Sequence, residues 1–436
     1  MTPGRILALV LLVVGGLGWL IGDDPIYRRM VYLAGLVGLT ALLWTRLSLS
    51  QVRVRRWARF YKAQVGEVFE ERFEVENKGR FPIFSLEVWN DSPLPGAAGS
   101  RLLTFLGPQR TITYNARTYL TQRGQFPLGP TRLVSSDPFG LFRSQRELSA
   151  EATLIVLPAL YSLTSFPFLA GQLPGGRVLR RRSSEVTPHA AGVREYLPGD
   201  PLRSIHWPSS ARRAKLMVKE FEQDPLAEIW LVLDLQQGVH CAQPYVPPVL
   251  SEFELLYGRL RRLVLPPSTL EYAVTIAASL GRYFLQRKWP VGLVAGNRAV
   301  TVLPAESGPR QQARMLEMLA LLQADGTLSL AALLSTQARY WKPGSSVILI
   351  TPDAQPLLLQ AVGELQQRHL TPMAILLDSA TFGGAARAEE MERSLVHNGV
   401  AVCRIRHGDD LEHVLSQFSL PRQVTVWSIL PSVPLT

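Results

Sequence analysis

At 436 residues the chain exceeds one ordinary hydrophobic core, so two or three domains are expected. Its 47% hydrophobic and 19% charged residues exclude a disordered protein, and two distant cysteines, Cys241 and Cys403, exclude a disulfide scaffold. A net charge of +11 points to nucleic acid, anionic lipid or an acidic partner, according to where the basic residues lie.

The N-terminus holds two uncharged stretches, Ile6 to Ile21 and Met30 to Thr45, within an expected transmembrane hairpin at 1–46. Each is about 16 residues, at or just under the ~17–25 that a membrane helix needs. Neither shows the polar face of a soluble helix, and Trp19, Tyr27, Tyr32 and Trp44 fall near the ends, where aromatic rings favour headgroups. A signal peptide is the rival, but no A-x-A-like cleavage site comes after it and a second apolar stretch begins at once. Arg46, Arg53, Arg55, Arg56, Arg59 and Lys62 lie just past the second stretch; positive-inside reasoning places them, and the bulk of the chain, in the cytosol of a two-pass inner-membrane protein. The same run suits anionic lipid headgroups.

From 59 to 158 the text alternates like strands. Val68 to Glu76, Phe84 to Trp89 and Thr111 to Ala116 are separated by Gly, Pro and Asn, which predicts a β-sandwich-like domain. Residues 159–227 are expected to be a linker and then a dense motif. Pro167, Gly171, Pro174, Gly175 and Gly176 break any pattern there, and the run Arg177 to Arg182 is a solvated face or a contact for phosphate or an acidic partner.

The motif runs from Gly192 to Trp207 and on to Arg212. Pro198-Gly199 is a turn, Asp200 can cap the short helix after it, and Pro201 suits a first helical position. This leaves Arg203, His206 and Trp207 on a short helical turn that Pro208 stops. Ser209 or Ser210 can cap a second turn at Ala211 to Ala214, and a strand runs from Leu216 to Glu222. Arg194, Asp200 and Arg203 are expected to form a docking cluster; Arg203 and His206, with Trp207 and Arg212 beside them, are the candidate binding residues. Asp200, His206 and Ser210 also supply the residue types of a hydrolytic triad. Triad members usually come from separate elements, so no catalytic residue is assigned and an enzyme is not expected.

The phrase Arg194 to Arg212, with Arg123-Gly124-Gln125-Phe126, Ser136 to Phe142 and the paired apolar helices, resembles the domain-of-unknown-function 58 family, the MoxR-associated proteins related to von Willebrand factor A domains. The resemblance covers most of the chain. It implies a membrane-anchored scaffold or adaptor beside a MoxR-type AAA+ ATPase, acting in assembly or maturation of client proteins. A hydrolase, or a nucleic-acid-binding membrane protein using the run at Arg177 to Arg182, is the alternative; nucleic acid is the less favoured partner.

Residues 228–418 read as an α/β doubly wound sheet, as the resemblance to von Willebrand A domains also implies, and 419–436 as a tail. Continuous apolar strands at Ile229 to Asp234, Val291 to Ala295, Val347 to Thr351, Met373 to Leu377 and Val400 to Ile405 alternate with amphipathic helices. Ligands of such sheets bind beyond the carboxyl ends of the strands, where Asp234, Gln236, Thr351, Asp353 and Asp378 fall. The A-domain metal motif D-x-S-x-S corresponds to Asp234-Leu235-Gln236-Gln237-Gly238, which has lost both serines, so no metal or other cofactor is expected. The long connection from Gln237 to Ser268, with a helix-like stretch at Ser251 to Leu265, is expected to cover that edge or dock a partner.

Overall fold

The computed structural model describes residues 3–22, 24–166, 181–183, 190–198, 202, 205–223, 228–248, 250, 252–257, 263–385 and 388–418. They fall into two compact units, Met1–Ala159 with Val246–Val264, and Leu160–Tyr245 with Leu265–Thr436.

The first unit begins with helices α1 (Pro3–Ile21) and α2 (Pro25–Ser50), both apolar and long enough to cross a membrane. Asp24 starts α2 by accepting from the Ile26 amide at 3.0 Å, and Pro25 fills the first position, where a missing N–H costs nothing. The helix outruns the expected Thr45 by five residues. Thr45, Ser48 and Leu49 are buried, and Leu49 joins the core of the β-domain, so packing extends the helix past the end of the apolar run.

Ten strands come next: β1 (Val52–Ala58), β2 (Lys62–Gln64), β3 (Val68–Asn77), β4 (Ile83–Asn90), β5 (Arg101–Leu106), β6 (Thr111–Tyr119), β7 (Gly124–Pro127), β8 (Thr131–Ser136), β9 (Arg143–Leu148) and β10 (Thr153–Leu157). They form sheets in the orders β1-β3-β6, β5-β4-β8-β9 and β2-β10-β7. Alternation sets their faces. In β3, Phe69, Glu71, Phe73 and Val75 point inward, and Phe73 stacks on Tyr114 at 5.1 Å in a core shared with Ile83, Leu86, Val88 and Leu133. Pairing is antiparallel throughout except β2 with β10, which run parallel. The inward Glu71 meets Arg56 at 2.9 Å, and burial outweighs the guanidinium so that its carboxyl lies above the usual range. Arg56 therefore leaves the basic run expected at the lipid surface. Arg53 and Arg55 remain exposed. Among the described residues, helix α4 covers Glu252–Tyr257 of the stretch from Ser251 to Leu265 expected to be helix-like. Residues 251 and 258–262 of it lie outside the described residues, and Val246–Val264 belongs to this unit.

In the second unit β11 (Arg181–Ser183), β12 (Ala190–Glu195) and β13 (Met217–Gln223) make an antiparallel sheet ordered β11-β13-β12, with α3 (Trp207–Arg213) between β12 and β13. Arg181 and Arg182, expected at the end of a linker, pair as strand with Gln223 and Glu222. Arg177 to Arg180, and the tail from residue 419, lie outside the described residues.

The rest of the second unit is β14 (Ile229–Leu233), α5 (Thr269–Gln286), β15 (Val291–Gly296), β16 (Val300–Glu306), α6 (Pro309–Leu321), α7 (Leu330–Gln337), β17 (Ser346–Thr351), α8 (Leu357–Gln367), β18 (Thr371–Leu377), α9 (Ala388–His397), β19 (Ala401–Ile405) and α10 (Leu411–Gln417). The sheet runs β16-β15-β14-β17-β18-β19, all parallel except the edge strand β16. Trp230, Val232, Val294, Val347, Leu349, Ala374 and Leu376 form one face with α7, α8 and α9, and Trp230 stacks on Trp341 at 5.5 Å. On the other face α5 is buried along nearly its whole length, and Gly281 sits between Met315 of α6 and Leu231 of β14. Covering both faces explains why β14, β15 and β17 are apolar at nearly every position.

Candidate functional site

The motif segment is built on two paired strands. Arg194 of β12 pairs with Val218 of β13, and the Tyr196 amide donates to Leu216 O at 2.8 Å. The side chain of Arg194, and Asp200 and Arg203 altogether, lie outside the described residues, so the expected docking cluster does too.

The helical text between the strands folds differently from its expected reading. One helix, α3, starts at Trp207 and carries Pro208 in its first turn, and Ala214 ends it in the left-handed region at φ 50°. Proline fits a first turn because the amide it lacks has no partner there, so Pro208 opens the helix that it was expected to stop. No serine caps a second turn. Instead Ser210 is buried, donating to His206 O at 3.0 Å and accepting from the Met217 amide at 2.9 Å, which fastens α3 to β13. His206 Nδ1 meets Ser209 Oγ at 2.7 Å, and the His206 amide donates to Met217 O. The histidine thus engages Ser209, while the Ser210 oxygen faces backbone: the base–nucleophile pair of a triad is not formed here. Trp207 is 66% exposed and Arg212 stands in solvent in the last turn, where a cation suits the helix dipole. Leu197, Leu202 and Leu216 of the same segment are exposed as well.

Beyond β13 the chain enters the parallel sheet, and its carboxyl edge brings Asp234, Gln236, Thr351 and Asp353 together as their strand-end positions predicted. Asp234 is buried; one carboxylate oxygen accepts from Thr351 Oγ1 at 2.6 Å and the other from the Gln236 amide at 3.0 Å. The Asp353 amide donates to the same Thr351 oxygen at 2.8 Å, and the Asp353 carboxylate takes the amides of Gln355 and Ala354. Burial pushes the Asp234 carboxyl up to about 6, with the Asp353 charge adding to the rise, and burial raises Asp353 too. Asp378, at the next strand, faces Arg404 at 4.0 Å and Arg406 at 3.9 Å instead.

These donors do not fit a divalent ion. Magnesium requires six oxygens in near-octahedral array. Both Asp234 oxygens are engaged, Thr351 Oγ1 is held between the Asp234 carboxylate and the Asp353 amide, and Gly238 has no side chain. Gln236 Oε1 is the one buried oxygen of this set left without a partner. Among the described residues no three His, Cys, Asp or Glu side chains group as a metal cluster.

One partner escaped sequence reasoning. His240 Nε2 donates to the Asp234 carbonyl at 2.8 Å, and its Nδ1 lies 3.0 Å from Thr269 Oγ1, which also receives the Cys241 amide. The imidazole ties the loop after β14 to the start of α5. The signal was a histidine six residues beyond the strand's acid, which by itself reads as a surface residue. On the other side, Gly326 bridges to Gln236: its amide donates to Leu235 O and its carbonyl accepts from Gln237.

Residues 192–241, from β12 to this loop, match the family model described as protein of unknown function DUF58. A curated relative, "Uncharacterized protein YeaD" of Bacillus subtilis (strain 168), is 25% identical over 234 residues, covering 53% of this chain and 50% of the relative. The chain thus spans about half the length of that relative. Among solved structures, the conserved hypothetical protein BatB from Bacteroides thetaiotaomicron aligns over 44% of this chain and 96% of its own, at 13% identity and a TM-score of 0.29. Proximal thread matrix protein 1 of the mussel byssus aligns over 43% of this chain and 46% of its own, at 11% identity and a TM-score of 0.28. Neither alignment is close enough to bear on fold or function.

Proposed function

We propose that this chain, whose residues 192–241 match the DUF58 family model, is a membrane-anchored, non-enzymatic adaptor that presents this segment to a protein partner in the cytosol. The second unit is read as von Willebrand A-like, and the partner as a MoxR-type AAA+ ATPase that works on assembly or maturation of client proteins. Arg53 and Arg55, exposed just after α2, are the proposed contacts for anionic lipid headgroups.

The observation that carries this reading is the exposure of Trp207 on a helix whose other side is fastened down. Ser210 and the His206 amide hold the start of α3 to β13 through bonds to the Met217 backbone, so the tryptophan and Arg212 project from a fixed support. Tryptophan and arginine are the residues most enriched at binding hot spots, and a rigid support lowers the entropy cost of docking. Asp234, both oxygens bonded, is a structural tie in this reading. Two helices long and apolar enough to span a bilayer, with arginines beyond the second, support the anchor and its orientation.

The test is crosslinked co-purification of the full chain from detergent extracts of its own membranes, with mass spectrometry of what is retained. An AAA+ ATPase is expected with the parent chain and is expected to be lost in Trp207→Ala, which removes a surface ring and leaves the fold intact. Retention unchanged in that variant, or recovery of the chain without an ATPase, overturns the reading.

A further inference from the structure

Four phenylalanines of the β-domain are exposed at the end of the sandwich from which the two N-terminal helices leave. Phe81 lies in the β3–β4 turn, Phe84 on β4, Phe105 at the end of β5, and Phe139 in the β8–β9 turn; Phe105 is 62% exposed and Phe81 and Phe139 are 53% exposed each. The first three gather around α2. Trp44 stacks on Phe84 at 5.6 Å and 27°, meets Phe81 at 5.6 Å, and Phe84 meets Phe105 at 6.1 Å. Phe139 stands beside α1: Gly4 packs on its carbonyl with no room for a Cβ, and Arg5 Nε donates to Leu141 O at 2.6 Å.

The heights agree. From Pro25 to Trp44 α2 rises about 30 Å at 1.5 Å per residue, which matches the ~30 Å hydrocarbon thickness of a bilayer. Past Trp44 the helix is flanked by the sandwich, with Thr45, Ser48 and Leu49 buried. Trp44 therefore marks the hydrocarbon boundary, where an amphipathic ring is favoured, and Phe84 and Phe81, which meet it, stand at the headgroup–acyl boundary that exposed apolar rings enter. Lys78, Arg80 and Arg110 are exposed on the adjoining turns, although Glu76 lies 3.9 Å from Lys78. Phe105 also adopts φ 57°, a left-handed conformation that a bulky side chain avoids, and this strain holds an apolar ring outward.

We infer that Phe81, Phe84, Phe105 and Phe139 form a collar seated in the headgroup region of an anionic bilayer, so that the sandwich rests on the membrane instead of hanging from a tether. The inference rests on the anchor reading of α1 and α2.

Photocrosslinking of the full chain in phosphatidylglycerol–phosphatidylethanolamine liposomes separates the two. The photoreactive residue p-benzoylphenylalanine replaces Leu12 in α1, Phe105 in the collar, or Phe60, an exposed ring just past the far end of β1, one strand length (about 20 Å) from the end that adjoins α2. Lipid adducts are expected at 12 and 105 and none at 60. Adducts at 12 without adducts at 105 overturn the collar and leave the anchor standing. No adduct at 12 overturns both. Equal adducts at 60 and 105 overturn the collar, since immersion would not be confined to that end.

Discussion

Asp234 sits where a ligand would be sought, at the carboxyl end of the central strand, yet its oxygens are committed to Thr351 and Gln236 and burial raises its carboxyl to about 6. A folded value above the ordinary 3.8 means that the native state holds the proton more tightly than the unfolded chain. The stability this confers is complete below about pH 4 and is lost as pH rises through about 6; the gap corresponds to roughly 3 kcal/mol. Asp234→Asn stays neutral at every pH and escapes that loss. The melting temperature of the parent chain, followed by near-ultraviolet circular dichroism, is expected to fall relative to the variant between pH 4 and pH 7; parallel curves would refute it. Asp234, Gln236, Thr351 and Asp353 were legible in the sequence because each lies at or just past an apolar run whose end marks the sheet edge. His240 and Ser210 were not: apart from Thr269 Oγ1 beside His240, the groups they bond are backbone of Asp234, His206 and Met217, and backbone leaves no mark in a residue pattern.

Elements were legible where burial imposes a period. Strands β14 and β17 begin within a residue of their expected positions because both faces are covered and nearly every side chain is apolar. The short α3 was misread because a proline at the first turn and a proline past the last look alike until hydrogen bonds are assigned. The parallel pairing of β2 with β10 was missed, since alternation gives a strand's face and not its neighbour. The loop holding Gly326 was unmarked too, although it closes on the site. A Cβ there would collide with the carbonyl oxygens of Gly296 and Leu235, which are backbone and cannot move aside. Gly326→Ala is therefore expected to cost about 1–3 kcal/mol and to part this loop from β14. Hydrogen exchange reads the result directly: the amides of Gln237 and Gly326, which bond across this contact, should lose protection while those of β14 keep theirs. Protection unchanged at both of those amides would mean that the loop tolerates the methyl group.

At the scale of the whole molecule the first unit combines a domain that reads as soluble with two helices that do not. Their apolar surface is exposed nearly all round, with Leu20 and Ile21 among its most open positions, a state that hydrocarbon stabilises and water does not. Which side the rest of the chain occupies depends on charge. Arg53, Arg55, Arg56, Arg59 and Lys62 lie close behind α2, against Arg28 and Arg29 near the connecting turn, so the excess that resists translocation lies on the β-domain side. Arg56 belongs to that run in sequence but folds with the domain: it is inserted between the strands and bonded to Glu71, Asn90 and Thr131. The proposed orientation translates into a labelling pattern. In a chain with Cys241 and Cys403 replaced by alanine, Gly22→Cys in the connecting turn should react with a membrane-impermeant maleimide added to intact spheroplasts. Glu147→Cys on the exposed edge strand β9 should react only after the membrane is permeabilised. The reverse pattern would put the β-domain outside the cell, beyond the reach of a cytosolic ATPase. Labelling of both positions in intact spheroplasts would mean that the helices do not cross at all.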